Sequence, residues 1–393
     1  MKKILFCLQT MVVGGVEKEL ITIMKKFDTT KYEISLLLLY KQDEEILKTI
    51  PNNIKVYCLD IDKNYYCSGL STLVKSRLKK EKVFEPISLL LKKVFRIGAT
   101  SANVNIEDMP NFDMAFDYAV CYHMHSPIML RYVAKKVNAK TKIAWIHNDF
   151  TNTGYNIKAY EKCLETYDKI IAVSTKLKDE FISILPKLKE KTKVVFNIVD
   201  SEEIISKANI ISGVEGSFLS DNKIKFLTVG RFATQKGFDI AIEVCKILVD
   251  KGIDISWYAI GYGDLENTLK ELVKKHNLQN NFIILGKKEN PYPYMKNCDV
   301  YVQPSRHEGY AITICEAKAL KKFIIATNFA GIQDQIQDGY NGIILQSFDA
   351  MEIANQIQQL LANNQKIEEI KKNIAFESLE DGWLNIENVF IEK

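Results

Sequence analysis

The sequence predicts an α/β protein made of two doubly wound domains, in each of which helices cover both faces of a parallel sheet. Three observations support this fold class. The 393 residues exceed what one hydrophobic core usually organises and suit two domains of fewer than about 200 residues each. Short apolar runs alternate with amphipathic runs along the chain, as in sheets built from βαβ units. Glycine turns follow several of the apolar runs, at the strand ends where such sheets bind ligands.

The first half begins with the pattern strand, glycine turn and helix. Residues 3–8 form an apolar run that a polar pair soon interrupts, which predicts a buried first strand rather than a signal peptide. Gly14 and Gly15 predict a turn, and residues 17–26 predict a helix. Further apolar runs predict strands at residues 33–40, 55–59, 114–118, 142–149 and 168–174. Residues 194–200 are expected to hold the last strand of the first domain and the start of the crossing to the second.

The second half repeats the pattern after a polar stretch at residues 206–222, which has the composition of a linker. Residues 224–239 predict a strand, a turn and a helix. Residues 257–264 predict a further strand and a glycine turn, and the remaining strands are predicted at residues 282–286, 299–302, 323–327 and 342–345. The predicted limits are 1–205 for the first domain, 206–375 for the second and 376–393 for a C-terminal tail.

The stretch from residue 303 to residue 320 carries the clearest chemical signal. It starts at the end of an apolar strand and runs into a predicted helix, with Gly309 just before the helix, where a backbone can approach a ligand closely. Free N–H groups and the helix dipole favour an anion at such a position. We therefore predict that Tyr310, Ala311 and Ile312 offer backbone donors to a negatively charged ligand.

Two glutamates bracket this helix start. Glu308 lies in the turn, and Glu316, with seven residues between the two, lies about one turn into the helix. Each carboxylate can accept hydrogen bonds from hydroxyl groups, and a ligand with hydroxyls on both sides of a diphosphate is a nucleotide sugar. The alternative is an ordinary strand–turn–helix unit with two solvated glutamates.

This stretch resembles the Glu-x7-Glu signature of retaining glycosyltransferases with the GT-B fold, in the large family-four group. It departs from the family pattern at Ala311, where glycine is usual, at Lys318 and at Phe323. Residues 230–237 resemble a second motif of the family, in which an arginine and a lysine follow a strand, and residues 14–17 resemble its Gly-Gly-x-Glu turn. The resemblance covers nearly the whole chain.

The resemblance implies roles for the charged residues of the second half. The first glutamate of the signature, Glu308, would contact the donor sugar, and the second, Glu316, would contact the ribose. Arg231 and Lys236 follow a strand, and a guanidinium fork beside an ammonium suits a diphosphate.

The resemblance also implies ligand contacts in the first half. Residues 145–149 resemble the family's strand-end histidine motif, which would place His147 by the donor sugar and the reaction centre, with Asp149 as a weaker candidate. A lone strand-end histidine is otherwise more often structural. Gly14 and Gly15 would allow the backbone to approach the diphosphate at a helix start.

The activity implied is transfer of a hexose-type sugar, with retention, from a nucleoside-diphosphate sugar to a glycan or lipid-linked acceptor in cell-surface polysaccharide synthesis such as capsule assembly. The GT-B fold places such a site in the cleft between two Rossmann-like domains, with the tail returning to the first domain. The family works without a metal or cofactor, so none is expected here.

Two other classes of function stay open. One is a GT-B enzyme of different chemistry, a nucleotide-sugar epimerase or a sugar phosphorylase, which would act without an acceptor or with inorganic phosphate. The other is a non-catalytic nucleotide-sugar-binding or scaffold protein, which would bind the donor without hydrolysing it slowly.

Composition bounds the location and the partners. The eight cysteines are scattered without a Cys-x-x-Cys pair, which predicts free thiols in a reducing cytoplasm. His123 and His125 have a spacing that would suit a metal, but no cysteine or carboxylate cluster stands beside them, so a structural role is favoured.

Residues 1–200 hold 32 basic against 23 acidic side chains, and residues 201–393 hold 21 against 26, so we expect the first half to meet an anionic surface or substrate. No nucleic-acid partner is predicted.

Residues 75–96 combine eight basic side chains with two acidic ones and several apolar positions. Basic amphipathic segments of this kind can lie in a membrane interface, where each basic residue near an anionic leaflet contributes about 1 kcal/mol. The alternative is a solvated helical face packed on the sheet, and Pro86 interrupts the pattern. The first interpretation predicts peripheral contact with the inner face of the plasma membrane.

Replacing Lys79, Lys80, Lys92 and Lys93 with glutamine should therefore reduce co-sedimentation of the protein with anionic liposomes, because four attractive charges are lost. Liposomes of neutral lipid serve as the control. Unchanged binding to anionic liposomes would reject membrane contact through this segment.

Overall fold

The structure, a computed structural model, describes residues 1–11, 14–40, 47–61, 106–151, 153–375 and 379–391. The chain forms two compact units. The first contains the described residues up to Val173 together with Leu177–Val195, and the second contains Ser174–Lys176 and the described residues from Phe196 onward. The basic segment at residues 75–96 lies outside the described residues.

The first unit is a parallel α/β sheet with helices. Its strands are β1 (Lys2–Leu8), β2 (Tyr32–Leu38), β3 (Lys55–Cys58), β4 (Phe112–Cys121), β5 (Val137–Ile146), β6 (Lys169–Ala172) and β7 (Thr192–Val194). The α-helices described up to β7 are α1 (Gly15–Lys26), α2 (Pro127–Lys136), α3 (Glu161–Leu164) and α4 (Thr175–Ile184). Short 3-10 turns lie at Ile106–Asp108, Ile157–Tyr160 and Pro186–Lys191.

The strand order of the first sheet is β3-β2-β1-β4-β5-β6-β7, and all pairs are parallel. The chain direction across the sheet reverses between β1 and β4, where Ile4 pairs with Tyr118. In open α/β sheets such a reversal opens a crevice beyond the carboxyl ends of the two strands, where ligands bind. The glycine turn before α1 and the segment after β4 both lie at this edge.

The second unit contains six strands and more helices. The strands are β8 (Ile224–Val229), β9 (Ile255–Ile260), β10 (Phe282–Gly286), β11 (Val300–Gln303), β12 (Phe323–Thr327) and β13 (Ile343–Leu345). The described helices are α5 (Ser201–Ala208), α6 (Gly216–Leu219), α7 (Phe238–Asp250), α8 (Glu266–Lys275), α9 (Tyr292–Asn297), α10 (Ile312–Ala319), α11 (Ala350–Leu361), α12 (Asn364–Lys372) and α13 (Leu379–Val389). A 3-10 turn at Thr234–Lys236 precedes α7.

The second sheet is also parallel, in the order β10-β9-β8-β11-β12-β13, which is the classic doubly wound order. One apolar cluster contains Phe226 and Trp257, and a second contains Leu227 and Tyr301. Phe226 and Leu227 are adjacent on β8, and successive residues of a strand face opposite sides. The two clusters therefore lie on opposite faces of the sheet. The order reverses between β8 and β11, so the loops after these two strands share one crevice.

The predicted strands agree with the observed ones apart from shifts at their ends, and β10 and β12 occupy the predicted residues. The last strand of the first sheet is different. It spans Thr192–Val194, with Thr192 paired to Ile170, and shares only Val194 with residues 194–200, which were predicted to hold this strand and the start of the crossing to the second domain. The apolar run continues past the sheet outside any strand or helix, until Asp200 caps α5 by accepting a 2.8 Å hydrogen bond from the N–H of Glu203.

The helix α5 also bears on the domain limits. It packs against α9 and α10 of the second unit, although most of it lies before the predicted limit at residue 205. The return of the tail to the first domain stays a prediction. Among the described residues, no helix is long and apolar enough to cross a membrane.

Gly237 fixes how closely the loops after β8 and β11 approach each other. It has a φ of 67°, in the left-handed region that disfavours residues with a side chain, and an added Cβ atom would lie 1.9 Å from the carbonyl oxygen of Pro304. The backbone of one loop therefore lies directly against the backbone of the other.

Replacing Gly237 with alanine should lower the free energy of unfolding by about 2 kcal/mol or more, because backbone strain and a backbone clash add together. Gly252→Ala is the matched control, since Gly252 has a similar φ of 77° but nothing within 4 Å of an added Cβ atom. It should cost only about 1 kcal/mol. Denaturant titration measures both values, and equal losses would contradict the close approach.

Candidate functional site

The loops after β8 and β11 are joined by hydrogen bonds from Arg306. Its guanidinium donates to the carbonyl of Thr234 at 2.8 Å and to the two carboxylate oxygens of Asp239 at 2.8 and 2.5 Å. Its backbone N–H donates to the carbonyl of Gln235 at 2.8 Å. Burial alone would raise the pKa of Asp239, but the hydrogen bonds from Arg306 outweigh burial and hold that pKa below its ordinary value. These hydrogen bonds from Arg306 were not predicted from the sequence.

Lys236 and Glu308 form an ion pair between the same two loops. The Nζ atom of Lys236 donates to Oε1 of Glu308, and the side chains are 21% and 8% exposed. The same Oε1 atom accepts hydrogen bonds from Oγ of Ser305 at 2.9 Å and from Nε2 of Gln303 at 3.3 Å. Three donors therefore converge on one oxygen of the carboxylate, which fixes its orientation.

Gln303 is the centre of the network behind Glu308. Its Oε1 atom accepts from the hydroxyl groups of Tyr301 at 2.8 Å and Thr313 at 2.9 Å, and its Nε2 atom also donates to Oγ of Ser305 at 2.7 Å. The side chain is 1% exposed and uses both donors and both acceptor positions. No role was predicted for Gln303 or Ser305, although two polar residues at the end of an apolar strand were a visible signal.

The two predicted cations come from a single loop. Arg231 directly follows Gly230 at the end of β8, and its side chain is exposed. The aliphatic part of Lys236 lies beside Gly230, where an added Cβ atom would contact it at 3.6 Å. Both side chains therefore start from the crevice between β8 and β11, where a doubly wound sheet binds its ligand.

The start of α10 differs in one respect from the prediction. The N–H of Ala311 donates to Oε1 of Gln335 at 3.2 Å, and Nε2 of Gln335 donates back to the carbonyl of Ala311 at 2.9 Å. The backbone donor of Ala311 is therefore already engaged and is not available to an anion in this arrangement. Ile312 is the first helical residue, and the N–H groups of a first turn have no acceptor within the helix.

The residues just before Ala311 are closely packed. A Cβ atom added to Gly331 would lie 2.1 Å from the carbonyl oxygen of Gly309, so two backbone segments are in contact there. The ring of Tyr310 stacks on Phe196, with a centroid distance of 5.6 Å. The backbone of this turn is therefore held in place from both sides.

Glu316 lies on α10 about one turn after its start and is 3% exposed. Its Oε1 atom accepts a 2.9 Å hydrogen bond from the hydroxyl of Tyr292. Burial, and then the charge of Glu316, raise the pKa of Tyr292, so the phenol keeps its proton and stays a donor. Tyr292 was not predicted as a site residue.

Gly14 and Gly15 lie at the start of α1 in the first unit. Gly14 is the N-terminal cap residue, with an extended φ of −145°. An added Cβ atom at Gly14 would meet only the end of the Glu17 side chain, at 2.5 Å. Glycine is therefore not forced here by backbone conformation, and the close approach to a diphosphate stays a prediction.

His147 directly follows β5 and is 4% exposed. Within the described residues, neither ring nitrogen has a hydrogen-bond partner, and the nearest carboxylate oxygen is Oε2 of Glu19, 4.0 Å from Nδ1. Burial, and then the neighbouring His123 and His125, lower the pKa of His147 well below its ordinary value. The imidazole is therefore neutral at pH 7. The buried Glu19, on α1, was not predicted.

The other two histidines of this cluster are packed by rings. The centroids of His123 and His147 are 6.3 Å apart, and His125 stacks on Phe150 at 4.9 Å. In the part of the chain that the structure describes, no group of three or more histidine, cysteine, aspartate or glutamate side chains is arranged to hold a metal ion. The structural role of His123 and His125 stays a prediction. Asp149 is buried at 3% exposure.

One further feature bears on metals. The expectation that the chain has no Asp-x-Asp triplet to hold a metal is wrong, because residues 60–62 form one. Asp60 follows the edge strand β3 and is exposed, and Asp62 lies outside the described residues.

Comparison with known proteins supports this picture of the second unit. Residues 214–375 match the family Glycosyl transferases group 1. The chain is 31% identical over 210 residues to an uncharacterized glycosyltransferase, MJ1178, of Methanocaldococcus jannaschii, a match that covers 53% of this chain and 52% of that protein. It is 31% identical over 209 residues to the capsular polysaccharide biosynthesis glycosyltransferase CapM of Staphylococcus aureus, covering 52% and 55%. The chain thus spans about half the length of these curated relatives.

Solved structures of other proteins are similar to this protein over its whole length. The structure of HepE from Anabaena in complex with UDP superposes with a TM-score of 0.71 at 16% identity, covering all of both chains. At this identity the likeness establishes the fold. The chain has the GT-B fold, with two Rossmann-like parallel-sheet domains. The predicted position of the site, in a cleft between those domains, stays a prediction.

Acid should destabilise the protein through the histidine cluster. Burial, and then His123, lower the pKa of His125 to about 3, whereas an unfolded histidine takes up a proton near pH 6.5. Between those values the unfolded state binds more protons, so the free energy of unfolding falls by up to about 1.4 kcal/mol per pH unit as pH decreases below 6.5. His125→Gln should remove this part of the slope between pH 6 and 4.5.

Denaturant titration at several pH values measures the slope. At pH 8 the imidazole is neutral in both states, so the difference between the two proteins there reports only the lost packing. Equal slopes below pH 6.5 would contradict a neutral, buried His125.

Proposed function

We propose that this protein is a glycosyltransferase that transfers a hexose-type sugar, with retention, from a UDP-sugar to a glycan or lipid-linked acceptor. The observation that carries the proposal is the Lys236–Glu308 ion pair at the crevice between β8 and β11. The cation would bind a diphosphate and the neighbouring carboxylate would accept from sugar hydroxyls, and the pair lies at the edge where doubly wound sheets bind nucleotides. The match of residues 214–375 to the glycosyltransferase family supports the same chemistry.

Stabilisation of the leaving group is the main task of such a site. A nucleoside diphosphate departs with its negative charge, and one strong preorganised donor typically contributes about 3–4 kcal/mol to lowering the barrier. Arg231 would bind the diphosphate through two parallel hydrogen bonds and Lys236 as a point charge. Lys236 has three N–H donors, so it can hold Glu308 and still donate to a phosphate oxygen.

The carboxylates would orient the two sugars of the donor. Glu308 has Oε1 engaged by three internal donors, and its other oxygen would accept hydrogen bonds from the donor sugar. Glu316 would accept from the ribose. His147, neutral because of its burial, would lie by the donor sugar and serve as a hydrogen-bonding group rather than as a cation.

We assign no protein nucleophile to the reaction. The anomeric carbon becomes oxocarbenium-like as the diphosphate leaves, the acceptor oxygen bonds to it on the same face, and the departing phosphate takes the acceptor proton. No step in this scheme requires a metal or cofactor, so metal-independent catalysis is part of the proposal.

The proposed acceptor and location rest on the similarity to CapM, on the charge of the first half and on the free cysteines. The similarity to CapM supports a role in cell-surface polysaccharide synthesis, and the basic first half suits an anionic or lipid-linked acceptor. The seven cysteines in the described part of the chain are free thiols, which supports a reducing compartment such as the cytoplasm. A donor screen by thermal stabilisation and slow hydrolysis with UDP-glucose, UDP-galactose and UDP-N-acetylglucosamine tests the activity.

Removing either cation should slow the reaction. Arg231→Ala and Lys236→Ala should each lower kcat for donor hydrolysis by about 100-fold or more, because the leaving group loses a charged donor. Lys246→Ala is the matched control, since Lys246 pairs with Asp250 on the outer surface of α7. Measured UDP release that is unchanged in both site variants would reject the assignment.

The two glutamates should separate turnover from nucleotide affinity. Glu308→Ala should reduce kcat with little change in the Kd for UDP, because UDP lacks the donor sugar. Glu316→Ala should chiefly raise the Kd for UDP, by about tenfold, because a charged acceptor of hydrogen bonds is lost. Calorimetry and hydrolysis assays measure both, and a kcat of Glu308→Ala within about twofold of the unaltered protein would refute the sugar-orienting role.

A further inference from the structure

Tyr292 and Glu316 form a hydrogen-bonded pair that the proposed chemistry does not by itself require. Tyr292 is the first residue of α9, and its hydroxyl donates to Oε1 of Glu316 on α10 at 2.9 Å. Glu316 is 3% exposed, so its carboxylate orientation depends on the protein groups around it rather than on bulk water.

The position of Tyr292 is itself fixed. Pro291 precedes Tyr292, and the backbone N–H of Tyr292 donates to Oδ1 of Asn290 at 3.3 Å. Asn290 in turn donates from Nδ2 to the carbonyl of Lys207, on α5, at 2.8 Å. The helix α9 packs against both α5 and α10. The phenol therefore reaches Glu316 from a segment that is anchored at its backbone.

We propose that Tyr292 is a positioning residue that makes Glu316 selective for the vicinal hydroxyls of a ribonucleoside diphosphate. This inference rests on the proposed function, in which Glu316 accepts from the ribose of the donor. A glutamate has three rotatable side-chain bonds, and a carboxylate held in one orientation before binding loses less conformational entropy when the ligand arrives.

The chemistry of the pair explains why it would discriminate. A carboxylate can accept about four hydrogen bonds, so the hydrogen bond from Tyr292 helps to orient it while it can still accept from ligand hydroxyls. Because Tyr292 keeps its proton, it donates to Glu316 and leaves the carboxylate as an acceptor. A buried site built to accept from hydroxyls rejects an analogue that lacks them, since its polar groups are then left without partners.

The test compares UDP with 2′,3′-dideoxy-UDP in calorimetric titrations of the full-length protein. The unaltered protein should bind UDP at least about tenfold more tightly than the dideoxy analogue. Tyr292→Phe, which keeps the ring and removes only the hydroxyl, should raise the Kd for UDP about five- to tenfold and leave the Kd for the analogue within about twofold. The preference for UDP should therefore fall toward unity.

Two further variants separate positioning from a general effect on the fold. Tyr294→Phe removes a hydroxyl from the same helix, where it donates to Glu215, and should leave the preference unchanged. In a Glu316→Gln background, Tyr292→Phe should have no additional effect on the preference, because Tyr292 acts through the carboxylate.

Three outcomes would overturn the inference. Equal losses of affinity for UDP and the analogue in Tyr292→Phe would mean that the residue only supports the fold. An unchanged Kd for UDP in that variant would mean that the binding contribution of Glu316 does not depend on the hydroxyl of Tyr292. Failure of the unaltered protein to bind UDP, ADP or GDP would overturn the proposed function as well, whereas the first two results leave it intact.

Discussion

The ion pair between Lys236 and Glu308 is the interaction on which the candidate site of the second unit depends. It connects the loop after β8 to the loop after β11, the two strands at which the sheet order reverses. Burying two charges is costly unless both are well hydrogen-bonded, and here Ser305 and Gln303 supply the additional donors to Glu308. The pair therefore holds a cation and a carboxylate next to each other, an arrangement that suits a ligand with both an anionic group and hydroxyl groups.

Both glutamates of the helix start are oriented by the protein itself. Glu308 is held by a network that runs through Gln303 to hydroxyl groups on β11 and α10, and Glu316 is held by Tyr292 from α9. Hydrogen bonds in such buried networks reinforce one another, so each carboxylate has one favoured orientation. We infer that the site discriminates among ligands through this rigidity, because wrongly placed hydroxyls cannot be met by rotation of a flexible side chain.

The fold could be predicted because parallel strands buried on both faces form continuous apolar runs, and β10 and β12 lie at the predicted residues for that reason. The position of β7 was predicted less well, since apolar sequence alone does not show where a strand ends and the segment after it begins. Arg231, Lys236 and Glu308 were visible in the sequence because they lie in the turns that follow predicted strands, and Glu316 because it lies in the helix after such a turn. The partners of those residues were not, since Gln335 engages Ala311 and Tyr292 engages Glu316 only through the tertiary packing.

The most direct test of the central claim is a crystal structure of the protein with the UDP-sugar that stabilises it most. The account predicts pyrophosphate oxygens within hydrogen-bond distance of both Arg231 and Lys236, with a sugar hydroxyl on Glu308 and the internal donors to its Oε1 atom retained. A pyrophosphate bound away from the loops after β8 and β11, or a Glu308 side chain turned away from the sugar, would contradict it.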